Sequence, residues 1–178
     1  EDVEASESAC YGVRLYRADR LTLRRVRIRH IAAGVQVHQG GAGSRFEDVT
    51  IEDADRMVVD NETTYNGGNA FQFYKSTGPI DVIRPVLSRL RAKRTNGKFD
   101  GGAFELFASD RVYVQDAIIR DAINVVETGR NPTDPDCRGF TMTGSMIYGR
   151  PLTAGNASSE VTATNGLFLR SAIDFDVV

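Results

Sequence analysis

Hydrophobic residues alternate with polar residues in short runs along most of this chain. In GGAFELFASDRVYVQDAIIRD, residues 101–121, apolar side chains stand two positions apart at Phe104 and Leu106 and again at Val112 and Val114. This spacing predicts β-strands with one buried face, because successive side chains of a strand point to opposite sides. The runs are about three to five residues long, and small or polar residues separate them. The pattern therefore predicts many short strands joined by tight turns.

The pattern repeats in register along the chain. Each repeat has a small residue, two apolar residues separated by one position, a turn, and two further alternating segments. Gly12 and Gly34 open consecutive repeats 22 positions apart (34 − 12), and Ala103 and Val125 have the same separation (125 − 103). One repeat cannot bury its apolar residues alone and must stack on its neighbours. The repeat predicts an all-β solenoid, a right-handed parallel β-helix with three short strands in each turn.

Two other architectures share parts of the pattern. A β-sandwich also has many short strands, but they do not repeat one template in register. A leucine-rich repeat needs a helical half-repeat and a fixed asparagine, and the sequence shows neither. We therefore expect one β-helix domain over residues 1–178, with about six to seven turns. The final alternation, AIDFDVV, reads as a strand cut short, which predicts a fragment of a longer β-helix truncated at its C-terminal end.

Insertions interrupt the repeat and are predicted to lie on one face, where solenoids often bind ligands. The repeat near Met57 is the least regular: either this turn is shortened or its second strand is AFQF, residues 70–73. Asp60 would join an outward polar column if that turn were complete. The predicted insertions are residues 60–68, 91–101, 130–138 and 150–160.

Stacked repeats place equivalent side chains in columns, with about 4.8 Å between turns. The inward columns are apolar and consist of Val13, Val35, Phe71, Phe104 and Val126, and of Leu15, Val37, Phe73 and Leu106. The first outward column is mostly polar and consists of Arg14, Gln36, Gln72, Glu105, Glu127 and Phe168. The second outward column is mostly aromatic and consists of Tyr16, His38, Tyr74, Phe107, Gly129 and Arg170.

An aromatic column beside amides and carboxylates is suited to a sugar chain. Aromatic rings pack on the apolar faces of pyranoses, while amides and acids form hydrogen bonds with the hydroxyl groups. We predict that Gln36, His38, Gln72, Tyr74 and Phe107 bind a polysaccharide substrate. The alternative is that neighbouring insertions cover Tyr74 and Phe107, which then only pack.

Glu105 and Glu127 stand on adjacent turns of the polar column and are candidate catalytic residues. Two close carboxylates raise the pKa of one of them, and glycosidases use such a pair for acid–base or nucleophilic catalysis. The alternative is a solvated polar ladder, neutralised by a cation or a nearby arginine. The sequence leaves both interpretations open.

Composition excludes some classes of function. The net charge of −2 argues against general nucleic-acid binding, and no apolar run reaches the roughly 20 residues needed for a membrane helix. Only two histidines occur, which argues against a histidine-centred metal site or triad. Cys10 and Cys137 either form a disulfide or are unrelated thiols.

Arginine is concentrated in the first repeats, with seven residues between positions 14 and 29. In LTLRRVRIRH, Arg27 and Arg29 alternate with Val26 and Ile28, so they are predicted to point outward. They would form either a patch that attracts an acidic polysaccharide or charges that keep a sheet soluble.

Over nearly its whole length, this repeat template resembles the right-handed parallel β-helix proteins of the pectin-lyase-like superfamily. The resemblance implies a secreted or cell-surface protein, either a polysaccharide lyase, glycoside hydrolase or uronate epimerase, or a non-catalytic glycan-binding or fibre protein. Calcium is a cofactor that only this analogy suggests, and an acidic polysaccharide is the implied partner.

One local match within the superfamily concerns a lysine. FQFYKSTG is similar to the Lys-Ser strand end of alginate lyases and chondroitinase B-like enzymes, where the lysine removes the proton beside the uronate carboxylate. The resemblance makes Lys75 a candidate catalytic base, followed by Ser76. The arginine and histidine that these enzymes carry one turn later are replaced by Ala108 and Ser109.

Overall fold

The computed structural model describes residues 3–8, 10–59, 65–94, 99–129, 133–135, 137–148 and 172–177, and the backbone of these residues forms strands and turns without any helix. The described residues form twenty strands. In chain order they are β1 (Val3–Ser6), β2 (Tyr11–Tyr16), β3 (Thr22–Arg24), β4 (Val26–Arg29), β5 (Ala33–His38), β6 (Ser44–Glu47), β7 (Thr50–Ala54), β8 (Met57–Val59), β9 (Tyr65–Gly67), β10 (Asn69–Tyr74), β11 (Ile80–Ile83), β12 (Val86–Leu90), β13 (Ala92–Lys93), β14 (Phe99–Asp100), β15 (Gly102–Phe107), β16 (Asp110–Gln115), β17 (Ile118–Ala122), β18 (Asn124–Gly129), β19 (Arg138–Tyr148) and β20 (Ala172–Val177).

Strands of successive repeats pair in parallel and form three strips. Strip A contains β2, β5, β10, β15 and β18; strip B contains β3, β6, β11 and β16; strip C contains β1, β4, β7, β12 and β17. The long strand β19 pairs with β16 through Arg138–Thr143 and with β17 through Met146–Tyr148. Strips B and C are thereby joined into one eleven-stranded sheet that curls around the core. This all-β arrangement is compatible with the predicted β-helix.

The strand pairing confirms the predicted inward columns. Val35 pairs with Val13 on one side and with Phe71 on the other, and Phe104 pairs with Phe71 and Val126. Phe71 and Phe104 are fully buried, with ring centroids 5.7 Å apart. Each buried side chain of this kind contributes about 1.5–3 kcal/mol relative to an exposed one. The aligned apolar positions thus form one continuous core.

Single residues with positive φ turn the chain from one strip to the next. Between strips B and C, the backbone N–H of Arg25, Asp48 and Arg84 donates to a carbonyl one repeat later, over 2.8–3.0 Å. L-residues adopt this left-handed conformation at a cost of about 1–2 kcal/mol, which these hydrogen bonds help to offset. The same conformation recurs at Arg17, Gln39, Lys75 and Ala108 after strip A, and at Glu7, His30, Asp53, Arg89 and Asp121 at the end of strip C.

Two hairpins leave the stack at the same corner, between a strip C strand and the following strip A strand. β8 pairs antiparallel with β9, and β13 pairs antiparallel with β14. Met57 therefore begins a hairpin and not a further set of parallel strands, while AFQF belongs to β10 of the next repeat. Asp60 lies outside the described residues. The bases of the two hairpins meet at Gly68 and Gly101, where a Cβ on Gly68 would lie only 2.5 Å from the Asp100 carbonyl oxygen.

The C-terminal segment differs from the prediction. β20 pairs antiparallel with β19, with Val177 opposite Phe140, and so does not add a parallel strand to the stack. Phe168 and Arg170, the last predicted members of the outward columns, lie outside the described residues, as does the predicted insertion at 150–160. The extent of the domain and the truncation of the chain stay predictions.

The two cysteines are not joined by a disulfide. Cys10 is exposed and Cys137 is buried, with its Sγ 3.3 Å from the Leu106 carbonyl oxygen. The alternation in β4 is as predicted, since Val26 and Ile28 are buried and Arg27 is exposed.

Candidate functional site

The outward face of strip A carries both predicted columns in the predicted register. In the polar column, Gln72 pairs with Gln36 and Glu105, and Glu105 pairs with Glu127. In the aromatic column, His38 pairs with Tyr16 and Tyr74, Tyr74 pairs with Phe107, and Phe107 pairs with Gly129. Parallel pairing of short strands brings together side chains that lie 22 to 36 positions apart in sequence.

A ladder of side-chain amides leads to Glu105. Gln36 Nε2 donates to Gln72 Oε1 over 3.2 Å, and Gln72 Nε2 donates to Glu105 Oε2 over 2.5 Å. Asn69 Nδ2 donates to the same carboxylate oxygen over 2.8 Å. Gln36 and Gln72 are only 6% and 3% exposed, and Gln36 Oε1 is buried with no hydrogen-bond partner among the described residues. These two glutamines therefore face each other and Glu105 more than they face solvent.

Glu105 is held in an environment that favours its neutral form. Burial raises the pKa of Glu105 to about 7, with a further contribution from the negative charge of Glu127, while the hydrogen bond from Gln72 opposes the shift. Burial also raises the pKa of Glu127, as does the charge of Asp100, against the opposing effects of Asn124 and Arg94. Near neutral pH, Glu105 exists in both protonation states, which is the condition for efficient proton transfer.

Residues that the repeat did not identify complete this cluster. Arg94 and Asp100, at the base of hairpin β13–β14, are joined by a hydrogen bond of 3.0 Å from Arg94 Nε to Asp100 Oδ2. Asn124 Nδ2 donates to Glu127 Oε2 over 3.3 Å. Asn69 and Asn124 each begin a strip A strand, in NAFQF and NVVET. This shared position is the sequence feature from which their place beside the glutamates could have been predicted. Arg94 and Asp100 lie in an insertion, where the repeat gives no information.

Neighbouring rings of the aromatic column contact one another, edge-on at His38 and stacked between Tyr74 and Phe107. Ring centroids are 4.8 Å apart for His38 and Tyr74 and 4.9 Å apart for Tyr74 and Phe107, whose planes differ by only 8°. A Cβ added at Gly129 would lie 3.0 Å from the Phe107 ring. The facing surfaces of Tyr74 and Phe107 are therefore occupied by each other. Tyr16 ends the column and is 51% exposed, so it presents the largest free aromatic surface on this face.

Lys75 lies at the corner after β10 and not among the carboxylates of the polar column. Its Nζ is 2.9 Å from Asp134 Oδ1, and this hydrogen bond raises the pKa of Lys75. A lysine held in its protonated form is a weaker candidate for a general base. Ser76 is buried and donates through Oγ to the Val37 carbonyl oxygen over 2.8 Å, so its hydroxyl is engaged in the stack.

The chain matches no protein-family model, no curated protein and no solved structure. The evidence for a functional site therefore comes from the geometry of the chain's own residues. No group of three or more histidine, cysteine, aspartate or glutamate residues in the described part of the chain is placed to hold a metal ion. Calcium binding is suggested by the family resemblance alone. The described residues also contain no helix that is long and apolar enough to cross a membrane.

Proposed function

We propose that the chain is a right-handed parallel β-helix of the pectin-lyase-like type, secreted or displayed at the cell surface, and that the outward face of strip A binds an acidic polysaccharide. Parallel strips of successive repeats around one core support the fold. The amides, carboxylates and aromatic rings of strip A are the groups that recognise sugars. The cationic residues Arg14 and Arg17, both close to His38, favour an acidic sugar chain.

The proposed reaction is hydrolysis of a glycosidic bond by Glu105 and Glu127. Glu105 would donate its proton to the leaving oxygen as the bond from the anomeric carbon breaks, while the Glu127 carboxylate attacks that carbon or directs a water molecule to it. The observation that carries this proposal is the half-buried Glu105 carboxyl, paired in register with Glu127 and with its pKa raised to about 7. Adjacent strands are about 4.8 Å apart, close to the roughly 5 Å separation of retaining glycosidases.

Elimination and epimerisation are less well supported than hydrolysis. Both need a base beside the uronate carboxylate, and the candidate base Lys75 is paired with Asp134. A non-catalytic glycan-binding or fibre β-helix is the alternative function. The stacked faces of Tyr74 and Phe107 and the internal hydrogen bonds of Gln36 and Gln72 favour that alternative.

The test is to incubate the purified chain with a panel of acidic polysaccharides and measure new reducing ends and ultraviolet absorbance together. Hydrolysis predicts reducing ends without the absorbance of an unsaturated uronate. Glu105→Gln and Glu127→Gln should each lower the rate by at least about 100-fold while the protein stays folded. Reducing ends with rising absorbance would replace hydrolysis with elimination, and no products from any substrate would leave the non-catalytic alternative.

A further inference from the structure

Most arginines on strips B and C are paired with carboxylates. Arg24 Nη2 is 2.6 Å from Glu47 Oε2, and Arg89 Nε is 2.5 Å from Asp53 Oδ1. The other such pairs include Arg27 with Glu52, Arg29 with Glu4, and Arg84 with Glu47 and Asp48. These side chains have their charge balanced within the protein, as expected for arginines that keep a sheet soluble.

Arg14 and Arg17 are different. Both are exposed, and neither forms an ion pair with any residue that the structure describes. Arg14 Nη2 lies 3.3 Å from His38 Nδ1, and Arg17 Nε donates to Gln39 Oε1 over 3.0 Å. Each guanidinium carries five N–H donors, so most of the donors of both residues are available to a ligand. The beginning of strip A thus presents two positive charges that no carboxylate of the described residues balances.

His38 adds a third donor to this site. A guanidinium can only donate, so His38 Nδ1 accepts from Arg14, and in the neutral imidazole the proton is on Nε2. Burial lowers the pKa of His38, and the charges of Arg14, Lys75 and Arg17 lower it further. The charge of Lys75 is balanced by Asp134, unlike the charges of Arg14 and Arg17. Two guanidinium groups and an imidazole N–H form a set of donors suited to an anion.

An exposed ring adjoins these donors. The Tyr16 ring is contacted edge-on by His38, with centroids 5.2 Å apart, and Arg17 Cζ lies 5.1 Å from the Tyr16 centroid. Tyr16 is half exposed, so an area of aromatic surface remains open to solvent beside the cations. A pyranose on this ring would bring its anionic substituent close to a guanidinium, which binds carboxylates through two parallel hydrogen bonds.

We propose that Arg14, Arg17 and His38 form a binding site for the carboxylate of an acidic sugar whose ring packs on Tyr16. This inference rests on the proposed polysaccharide-binding function and identifies residues that determine its preference for charge. The site lies at the opposite end of strip A from Glu105 and Glu127. A chain of several sugar units would therefore be anchored at the first repeats and extend along strip A towards the carboxylates.

The test is calorimetric titration of the full chain with a hexamer of galacturonic acid, a sulfated heparin hexasaccharide and uncharged maltohexaose. Arg14→Gln and Arg17→Gln should each raise the Kd for the galacturonate hexamer at least tenfold. Arg27→Gln and Arg29→Gln, exposed arginines paired with carboxylates on strip C, are the matched controls and should change it less than twofold. Circular dichroism melting curves should show that all four variants are folded.

The outcomes separate this inference from the proposed function. Equal binding by wild type and the two strip A variants would overturn the site while leaving glycan binding intact. Equal weakening by all four substitutions would also overturn it, because general charge attraction would then explain the affinity. Tighter binding of the sulfated hexasaccharide, lost in the same two variants, would replace the carboxylate with a sulfate. No binding of either acidic hexamer by wild type would overturn both proposals.

Discussion

At Glu105, opposing effects act on one carboxyl group. Asn69 and Gln72 both donate to Oε2 and so favour the ionised form, whereas burial and the neighbouring charges of Glu127 and Asp100 favour the neutral form. The desolvation effect is the largest, because ionising a carboxyl away from water forfeits its hydration. The result is a carboxyl group with a pKa of about 7 at the end of a ladder of hydrogen-bonded glutamine side chains.

This environment predicts that Glu105 makes stability depend on pH. The pKa of Glu105 is raised in the folded state, so its stabilising effect is present below the unfolded value near 4.5 and is lost as pH rises through about 7. Glu105→Gln, which stays neutral, should gain about 1–3 kcal/mol in free energy of unfolding relative to wild type between pH 4 and pH 8. Urea unfolding at the two pH values measures this difference. If the free energy of unfolding changed with pH equally in both proteins, the pKa of Glu105 would not be raised by the fold and the prediction would be wrong.

Sequence alone could predict which residues share a column, but not how exposed each one is. The alternation of apolar and polar residues predicts that Gln36 and Gln72 point away from the apolar core, and in the structure they pair in the predicted column. Their burial depends on how closely side chains pack around them in three dimensions, which alternation does not specify. The left-handed residues were also unpredictable, since Arg25 and Lys75 are residue types with no special preference for positive φ.

Among the elements, the two hairpins approach each other closely at Gly68. Gly68 has φ +75°, and a Cβ at this position would lie 2.5 Å from the Asp100 carbonyl oxygen and 2.8 Å from the Ala92 backbone nitrogen. Backbone atoms cannot move aside as the end of a flexible side chain can. The approach of hairpin β13–β14 to the base of hairpin β8–β9 therefore depends on a residue without a side chain.

Gly68→Ala should destabilise the fold more than Gly139→Ala. Gly139 has a similar φ of +64°, but a Cβ added there would lie 3.5 Å from the nearest atom, so this variant reports the conformational cost alone. We expect Gly68→Ala to lower the free energy of unfolding by at least about 1 kcal/mol more than the control. Chemical denaturation of both variants tests this. Equal losses would mean that the hairpin bases separate at little cost.

Strand β19 shows where an element prediction fails. The repeat predicts two separate strands in this region, yet one strand of 11 residues pairs first with β16 and then with β17. Gly144, with φ +62°, occupies the corner position that Asp116 holds one repeat earlier, and Asp116 donates its N–H to the Thr143 carbonyl oxygen over 2.9 Å. The chain thus turns at Gly144 as it does at Asp116, but here the turn lies within one continuous strand.

At the scale of the whole molecule, aromatic side chains connect the repeats through the core. Phe71 lies 5.8 Å from Phe46 and 5.7 Å from Phe104, and Phe104 lies 5.6 Å from Phe140, measured between ring centroids. All four rings are fully buried. Because these rings belong to successive repeats, they link the stability of one repeat to that of the next.

Phe71→Ala should therefore lower the free energy of unfolding by about 3–5 kcal/mol, because it leaves a cavity that the stacked strands cannot close. Phe99→Ala is the control, since Phe99 is 51% exposed and should cost far less. Hydrogen exchange should locate the faster opening in β5, β10 and β15, the strands that flank the cavity. Equal destabilisation by both substitutions would contradict the central place of Phe71 in the core.

The all-β parallel arrangement could be predicted from the sequence because one template recurs often enough to set the register. The inward columns and the parallel strips follow directly from that recurrence. The antiparallel strand β20 does not, since alternation alone cannot distinguish parallel from antiparallel pairing. The same reason explains why only part of the cluster around Glu105 could be predicted. Gln72 and Glu127 occupy a position that recurs in each repeat, whereas Arg94 and Asp100 lie in a hairpin outside the repeat.

The common corner of the two hairpins has a consequence for how such a protein changes over generations. Before hairpin β13–β14, Arg91 N donates to the Ala54 carbonyl oxygen over 3.1 Å, and after it the Gly101 carbonyl oxygen accepts from Asn124 N over 3.0 Å. Hydrogen bonds between successive repeats are thus present immediately before and immediately after the hairpin. We therefore expect the tips of both hairpins to tolerate changes of sequence and length, as long as the close contact of their bases at Gly68 is kept.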